Sequence, residues 1–498
     1  MTNAAAYDDL MAHVKKGVAL EQISGILSWD QEVMMPPDGA SARAEQMAVL
    51  ETLSHGVHSD PQVGEWLEAL HGQQLDSVQT ANVRLISKNH DRVSKIPVAL
   101  ASELAKTTAL AQHQWAKARE AGDFSLFAGA LKQIIDLKRQ EADCLKTDGQ
   151  SAYDVLLDGF EPGMTVSVLR PLLESMRPRL MALREKILAS GRLGDSLSGQ
   201  FHLDCQMDLA RKLADVVGYR WTSGRLDLSV HPFSSGTRGD ARITTRQDQS
   251  DPMGCLYSTL HELGHALYEQ GLDPDHAFTP AGQHVSMGVH ESQSRLWENQ
   301  IGRSAAFSQW LYPKFVDAFG PDHVQSATHL HQLINTVSTG FIRTEADEVH
   351  YNLHVLLRFG LEEDLINGTL DVDDLEEEWN RRFEADFGVA VPDAANGVLQ
   401  DVHWSVGLFG YFPTYALGNI YAGQLFEKMK ADLGSLDERI SNGEMSDILR
   451  WLRQNVHRAG SLHAPDELMS KVVGEPVSSG PLLDYLEDKY LRLCESPS

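Results

Sequence analysis

The chain is 498 residues long, 42% hydrophobic and strongly acidic, with a formal charge of -27. A body of that size can bury a large core, and a field this negative repels a polyanion before any specific contact forms, so nucleic acid and anionic membrane are excluded as expected partners. No uninterrupted apolar run approaches the roughly 20 residues that span a bilayer, and the four cysteines, Cys144, Cys205, Cys255 and Cys494, lack CxxC spacing.

At the N-terminus, MTNAAAYDDLMAHVKKG carries no basic segment followed by an apolar one, so no secretory leader is expected. With the scattered cysteines this points to a reduced, cytoplasmic setting. The stretch IPVALASELAKTTALAQHQWAKAREAGD, from Ile96, reads as a helix with Leu100, Leu104, Ala111, Trp115 and Ala118 on one face, Pro97 at its start and Gly122 at its end. A second helix, SVLRPLLESMRPRLMALREKILASG, places Leu169, Leu172, Leu173, Met176, Leu180, Leu183 and Ile187 at steps of three and four, with a bend expected near Pro178.

Between about 218 and 248 the period changes. YRWTSGRLDLSVHPFSSGTRGDARITTRQD alternates apolar with polar residues around Ser-Gly and Arg-Gly-Asp turn signals, which predicts two or three short strands. They precede the most informative stretch of the chain, so a small sheet is expected as a wall beside it. No internal repeat, low-complexity tract or long Pro/Gly/Ser linker interrupts the sequence. One mainly α domain over residues 1–498 is the simplest architecture.

The stretch that follows, LYSTLHELGHALYEQGL, spans Leu256 to Leu272. Asp251 and Pro252 supply an N-cap and a first helical residue and Gly271 an end, so His261, Glu262 and His265 share one helix. At 3.6 residues per turn, His261 and His265 project from one face about a turn apart, close enough to share a tetrahedral ion at roughly 2.0–2.1 Å from each nitrogen. Leu256, Leu260, Leu263 and Leu267 lie on a different side and can bury the helix. Glu262, offset around the axis, can reach a metal-bound water of pKa about 7 and take its proton as it attacks a carbonyl. The same five-residue pattern also arises by chance, with both imidazoles hydrogen-bonded in a core.

Metzincin spacing is excluded, because the required Gly and His positions hold Tyr268 and Gly271. A third ligand is expected from the next helix, SMGVHESQSRLWENQIG, within the 252–302 region. It offers Glu291, with His284 and His290 in competition, and composition does not separate the three.

With HELGH and HESQS in place, the chain resembles the Taq-type carboxypeptidases, the M32 family of metallopeptidases. The likeness extends to LSWDQEVMMPP near the N-terminus, HPF at 231–233, DARIT at 240–244, IRTEAD at 342–347 and GVLQDVHW at 397–404, in the family's order. The resemblance implies a large helical, gluzincin-like body with a central substrate groove, commonly a homodimer. It implies release of C-terminal residues one at a time, with broad specificity, from short peptides with a free C-terminus. It also implies His261, His265 and Glu291 as ligands of one divalent ion and Glu262 as general base. Zinc is the default for such a set, with cobalt or manganese also accepted.

A carboxypeptidase must read a free α-carboxylate, which the planar fork of an arginine does best. Arg343 in IRTEAD is the first candidate, through the family motif, and Arg242 in DARIT the second. Either can instead pair with a nearby Asp or Glu. His403 and Tyr415 resemble residues lining the family's active site, and either can supply a donor to the oxyanion that develops. Asp347 is read as a carboxylate that orients a ligand histidine, and His231 receives no catalytic step.

Two rival functions remain open on sequence. An endo-acting oligopeptidase would cut peptides whose C-terminus is amidated. A non-enzymatic scaffold with a structural metal would need a fourth protein ligand, and Cys255, six residues before His261, is badly placed to provide it. An aminopeptidase is disfavoured because no GAMEN-like segment precedes the histidines.

Overall fold

The computed structural model describes residues 3–191 and 197–495. Helices dominate it, from Asn3–Val33 at the N-terminus to Gly480–Glu495 at the C-terminus. By internal packing the chain forms two compact units, each assembled from separated segments: Met1–Ser94, Ser196–Ile334 and Leu425–Glu475 in the first, Lys95–Asp195, Asn335–Gln424 and Pro476–Ser498 in the second.

The second unit contains both helices expected early in the chain. One runs Val98–Ala121 between Pro97 and Gly122, whose φ of 64° stops the helix in the left-handed conformation glycine tolerates best. The other is split rather than bent, into Val166–Glu174 and Met176–Ala189. Pro178 has no N–H for the carbonyl of Glu174, and its ring crowds that carbonyl, so the break falls one turn before the proline. The predicted stripe is core: Leu169, Leu173, Met176, Leu180, Leu183 and Ile187 are buried, and Leu172 half-buried.

In the first unit the 218–248 stretch forms three strands, β1 (Leu226–Leu228), β2 (Ser234–Thr237) and β3 (Asp240–Thr245). The order is β1-β3-β2, with β1 parallel to β3 (Leu226 opposite Ile243) and β2 antiparallel to it (Ser234 opposite Ile243). Ala241 and Ile243 point inward while Asp240 and Arg242 stay half-exposed, the period of two that the sequence carries.

The sheet packs on the Pro252–Gly271 helix, where Thr245 Oγ1 donates to the Cys255 carbonyl at 3.0 Å. Asp251 caps that helix by accepting from the N–H groups of Met253 and Gly254. Leu256, Leu260, Leu263 and Leu267 are at most 1% exposed, a leucine side whose burial is worth about 1.5–3 kcal/mol per residue. The Met287–Arg295 helix lies against it, capped by Ser286 and followed by a π-helical turn over Leu296–Ile301. Their approach depends on Gly264: a Cβ there would stand 2.4 Å from the Gln293 carbonyl oxygen and 2.5 Å from Ser294 Cα.

Candidate metal centre

The close contact at Gly264 carries Glu291 up to the two histidines. One ligand atom each from His261, His265 and Glu291 lies within 4.8 Å of the others. Glu291 Oε2 is 3.7 Å from His261 Nε2 and 3.5 Å from His265 Nε2. Those separations are long for a hydrogen bond, and they match the edge of a tetrahedron whose metal bonds are about 2.0–2.2 Å. Arg295 Nε donates to the other carboxylate oxygen at 2.6 Å, so Glu291 presents Oε2 to the histidines. Ser294 Oγ also donates to Oε2, at 3.0 Å.

The field treats the two histidines differently: burial, with the charge of His261, lowers His265. Burial works against the His261 cation, yet Glu291, Glu298 and Glu262 outweigh it and push the imidazole up to about 9. Burial would raise Glu291, and Arg295 with the two histidines holds it well below the carboxylate range instead. Spacing, donor types and charge all fit a divalent ion. Glu262 is buried beside this group. Burial, with the charges of Glu291 and Glu298 working against His261 and Arg295, pushes it up to about 7, where a carboxyl exchanges protons readily near neutrality.

Glu298 is a functional candidate that the sequence reading missed. Its Oε2 is 2.9 Å from His261 Nδ1 and accepts from Arg295 Nη1 at 3.2 Å. A histidine whose Nε2 is bare for a metal carries its proton on Nδ1, and Glu298 accepts it, which fixes ring and tautomer. The signal was its position two turns after Glu291 on the same stretch. The orienting role expected of Asp347 is corrected accordingly. Asp347 accepts from the N–H groups of Val349 and His350 at the start of the Glu348–Asn367 helix and from His350 Nδ1 at 2.8 Å; its short side chain is spent on that cap.

The two competing histidines belong to a neighbouring group, Glu269, His284 and His290, again with ligand atoms within 4.8 Å of one another. Here Glu269 Oε1 is 2.9 Å from His284 Nδ1 and 3.0 Å from His290 Nε2, both ordinary hydrogen bonds.

Arg242 sits on β3, bidentate to Asp240 at 2.8 and 2.7 Å and stacked 4.4 Å from the Trp29 ring. His231 is exposed, its carbonyl accepting from Ser229 Oγ at 2.7 Å.

In the second unit Arg343, His403 and Tyr415 come together. Arg343 is buried, donating from Nε and Nη2 to Asp401 Oδ1 at 3.1 and 2.8 Å and from Nη1 to the Tyr351 hydroxyl at 3.1 Å, with the Tyr415 ring 4.8 Å away. Arg358, fully buried, takes the other oxygen of Asp401 from Nε at 2.7 Å. Two guanidinium groups thus share one carboxylate, leaving a buried surplus of positive charge. His403 Nε2 is 3.1 Å from the Tyr415 hydroxyl, and burial drives this imidazole down to about 4, neutral at pH 7.

Comparison with known proteins gives the family. The family model described as Carboxypeptidase Taq (M32) metallopeptidase matches residues 9–490. The chain is 42% identical to Thermostable carboxypeptidase 1 of Thermus thermophilus, over 99% of this chain and 100% of that one. It is 35% identical to Carboxypeptidase 1 of Bacillus subtilis, over 97% and 96%. Its fold matches the crystal structure of an M32 carboxypeptidase from Deinococcus radiodurans with a TM-score of 0.95 at 34% identity, covering 99% of this chain and 100% of the other. The Trypanosoma cruzi metallocarboxypeptidase 1 matches with a TM-score of 0.95 at 33% identity, over 98% and 99%. The chain belongs to the Taq-type M32 family: it is a metallocarboxypeptidase, a peptide-bond hydrolase that works with a divalent metal ion.

Proposed function

We propose that this enzyme releases C-terminal residues one at a time from short peptides, with broad specificity, at one divalent ion held by His261 Nε2, His265 Nε2 and Glu291 Oε2. The observation that carries this is the convergence of three ligand atoms, spaced for a metal rather than for hydrogen bonds, on the helix that also bears Glu262. The bound ion supplies Lewis acidity, polarising the scissile carbonyl and lowering the pKa of water to about 7. Glu262 accepts the proton of the attacking water and returns it to the leaving amine nitrogen, a task suited to a buried carboxyl poised near 7. Glu298 keeps the Nδ1 proton of His261 in place throughout.

Arg343 is the proposed reader of the substrate carboxylate. Asp401 and Tyr351 fix its plane and leave one hydrogen on each terminal nitrogen for an incoming anion. Arg242 stands second, its fork already filled by Asp240. Tyr415, hydrogen-bonded to a neutral His403, is the proposed oxyanion donor. Zinc is the proposed metal from the His, His, Glu donor set, with cobalt and manganese able to replace it. A homodimer and a cytoplasmic setting belong to the same reading, resting on the family resemblance and the scattered cysteines. Among the described residues no helix is long and apolar enough to cross a membrane.

A short free-acid peptide is compared with its C-terminal amide by mass spectrometry, with chelator and then with zinc or cobalt restored. Stepwise shortening of the free acid alone, abolished by chelation and recovered with metal, is expected. Internal cleavage of both peptides would replace this reading with an oligopeptidase.

A further inference from the structure

The second histidine–glutamate group offers the donor types of a metal site, yet its hydrogen bonds give it a different role. His265 and His290 meet through their Nδ1 atoms, 2.5 Å apart, with ring centroids 4.6 Å apart and planes inclined by 28°, so the rings meet edge to edge as an N–H···N bond requires. His290 Nε2 then stands 3.0 Å from Glu269 Oε1. The proton positions follow in one direction from the metal centre. If His265 Nε2 is bare toward the ion, its proton is on Nδ1 and is donated to His290 Nδ1. His290 Nδ1 is therefore an acceptor, its own proton is on Nε2, and Glu269 Oε1 takes it. His284 Nδ1 donates to the same oxygen at 2.9 Å.

We propose, on the metal-site reading above, that His290 and Glu269 form a positioning relay that fixes the tautomer and ring orientation of His265, and that this relay keeps the Glu269–His284–His290 group from taking a second ion. His261 is held by a carboxylate directly, through Glu298, whereas His265 is held by one through an intervening imidazole. The exclusion of a second ion has the same origin. When His265 Nε2 is bare, His290 Nε2 carries a proton and has no lone pair to give. The outer end of the group is open to test, because Glu269 and His284 line a cavity of about 510 Å³ that also touches Gly236, Arg238 and Phe278.

Metal affinity by chelator competition, metal content per chain and the visible spectrum of cobalt-loaded protein decide the question without reference to turnover. His290→Phe removes the acceptor while keeping a ring, and should weaken the ion by roughly 10- to 100-fold and alter the cobalt spectrum. His290→Asn places an amide oxygen where Nδ1 stood, and should recover most of that loss and restore the spectrum. Glu269→Ala, which leaves the His265–His290 bond intact, should weaken the ion less than His290→Phe; should the phenylalanine variant not fold, a measurable loss in Glu269→Ala carries the test. His284→Ala should leave affinity within about threefold and metal content at one ion per chain. Affinity unchanged in both His290→Phe and Glu269→Ala would overturn the relay, as would a second ion in the parent protein that His284→Ala removes. Retention of tight binding by Glu291→Ala is a different result: it would overturn the metal-site reading itself.

Discussion

His261, His265 and Glu291 form one group and Glu269, His284 and His290 another, with the same three donor types and the same overall closeness. In the first the carboxylate oxygen stands 3.5 and 3.7 Å from two nitrogens; in the second it stands 2.9 and 3.0 Å from them. Their fields do not separate them: against burial, carboxylates raise His261 in one group and His284 in the other, burial lowers His265 and His290, and each glutamate is held below the carboxylate range by its neighbours. The distances do separate them: one group keeps its three atoms spaced for an ion and the other is closed by its own hydrogen bonds. Residue type is thus a poor guide to a metal site; what occupies the far nitrogen of each imidazole and the far oxygen of each carboxylate separates the two.

The comparison breaks most visibly at its two glutamates. Glu291→Ala should leave dialysed protein without metal and without peptidase activity, whereas Glu269→Ala should still carry one ion, as atomic absorption of the two variants will show. A sharper division comes from Glu298, which is expected to lower metal affinity by roughly 10- to 100-fold when changed to Ala, read by chelator competition at fixed pH. Gly264→Ala tests the approach of the two helices: its Cβ, 2.4 Å from the Gln293 carbonyl oxygen, should cost about 1–3 kcal/mol in thermal unfolding and weaken metal binding with it.

The last effect concerns a histidine outside both groups. His403, depressed to about 4 in the folded chain, is bare while its unfolded counterpart takes up protons below pH 6.5. Stability it contributes is present above pH 6.5 and is lost as pH falls through 4, on the order of 3 kcal/mol in total. Denaturant titrations across that window should show a loss that His403→Phe reduces, equal in chelated and metal-loaded protein.

Much of the metal helix was legible in the sequence, because its signals are local. Asp251 and Pro252 fix its start, four leucines mark its buried side, and the His261–His265 spacing puts two nitrogens on one face. The period-two stretch gave the sheet for the same reason. Residue types left Glu291, His284 and His290 open and the family resemblance implied Glu291; the close contact at Gly264, beside which Glu291 meets the two histidines, is a tertiary fact with no local signature. The orienting role expected of Asp347 falls to Glu298 instead, because Asp347 caps its own helix and Glu298 is the carboxylate beside His261 Nδ1. The partners of Arg343 were also hidden, since Asp401 is 58 residues away along the chain.

Glu262→Gln, assayed for bound metal and for release of the C-terminal residue from a free-acid peptide, tests the central claim most directly. The variant should hold its ion as tightly as the parent while kcat falls by roughly 10²- to 10⁴-fold, the share of a positioned general base. Turnover within twofold of the parent, with the ion still bound, would contradict the assignment of Glu262 and the chemistry built on it.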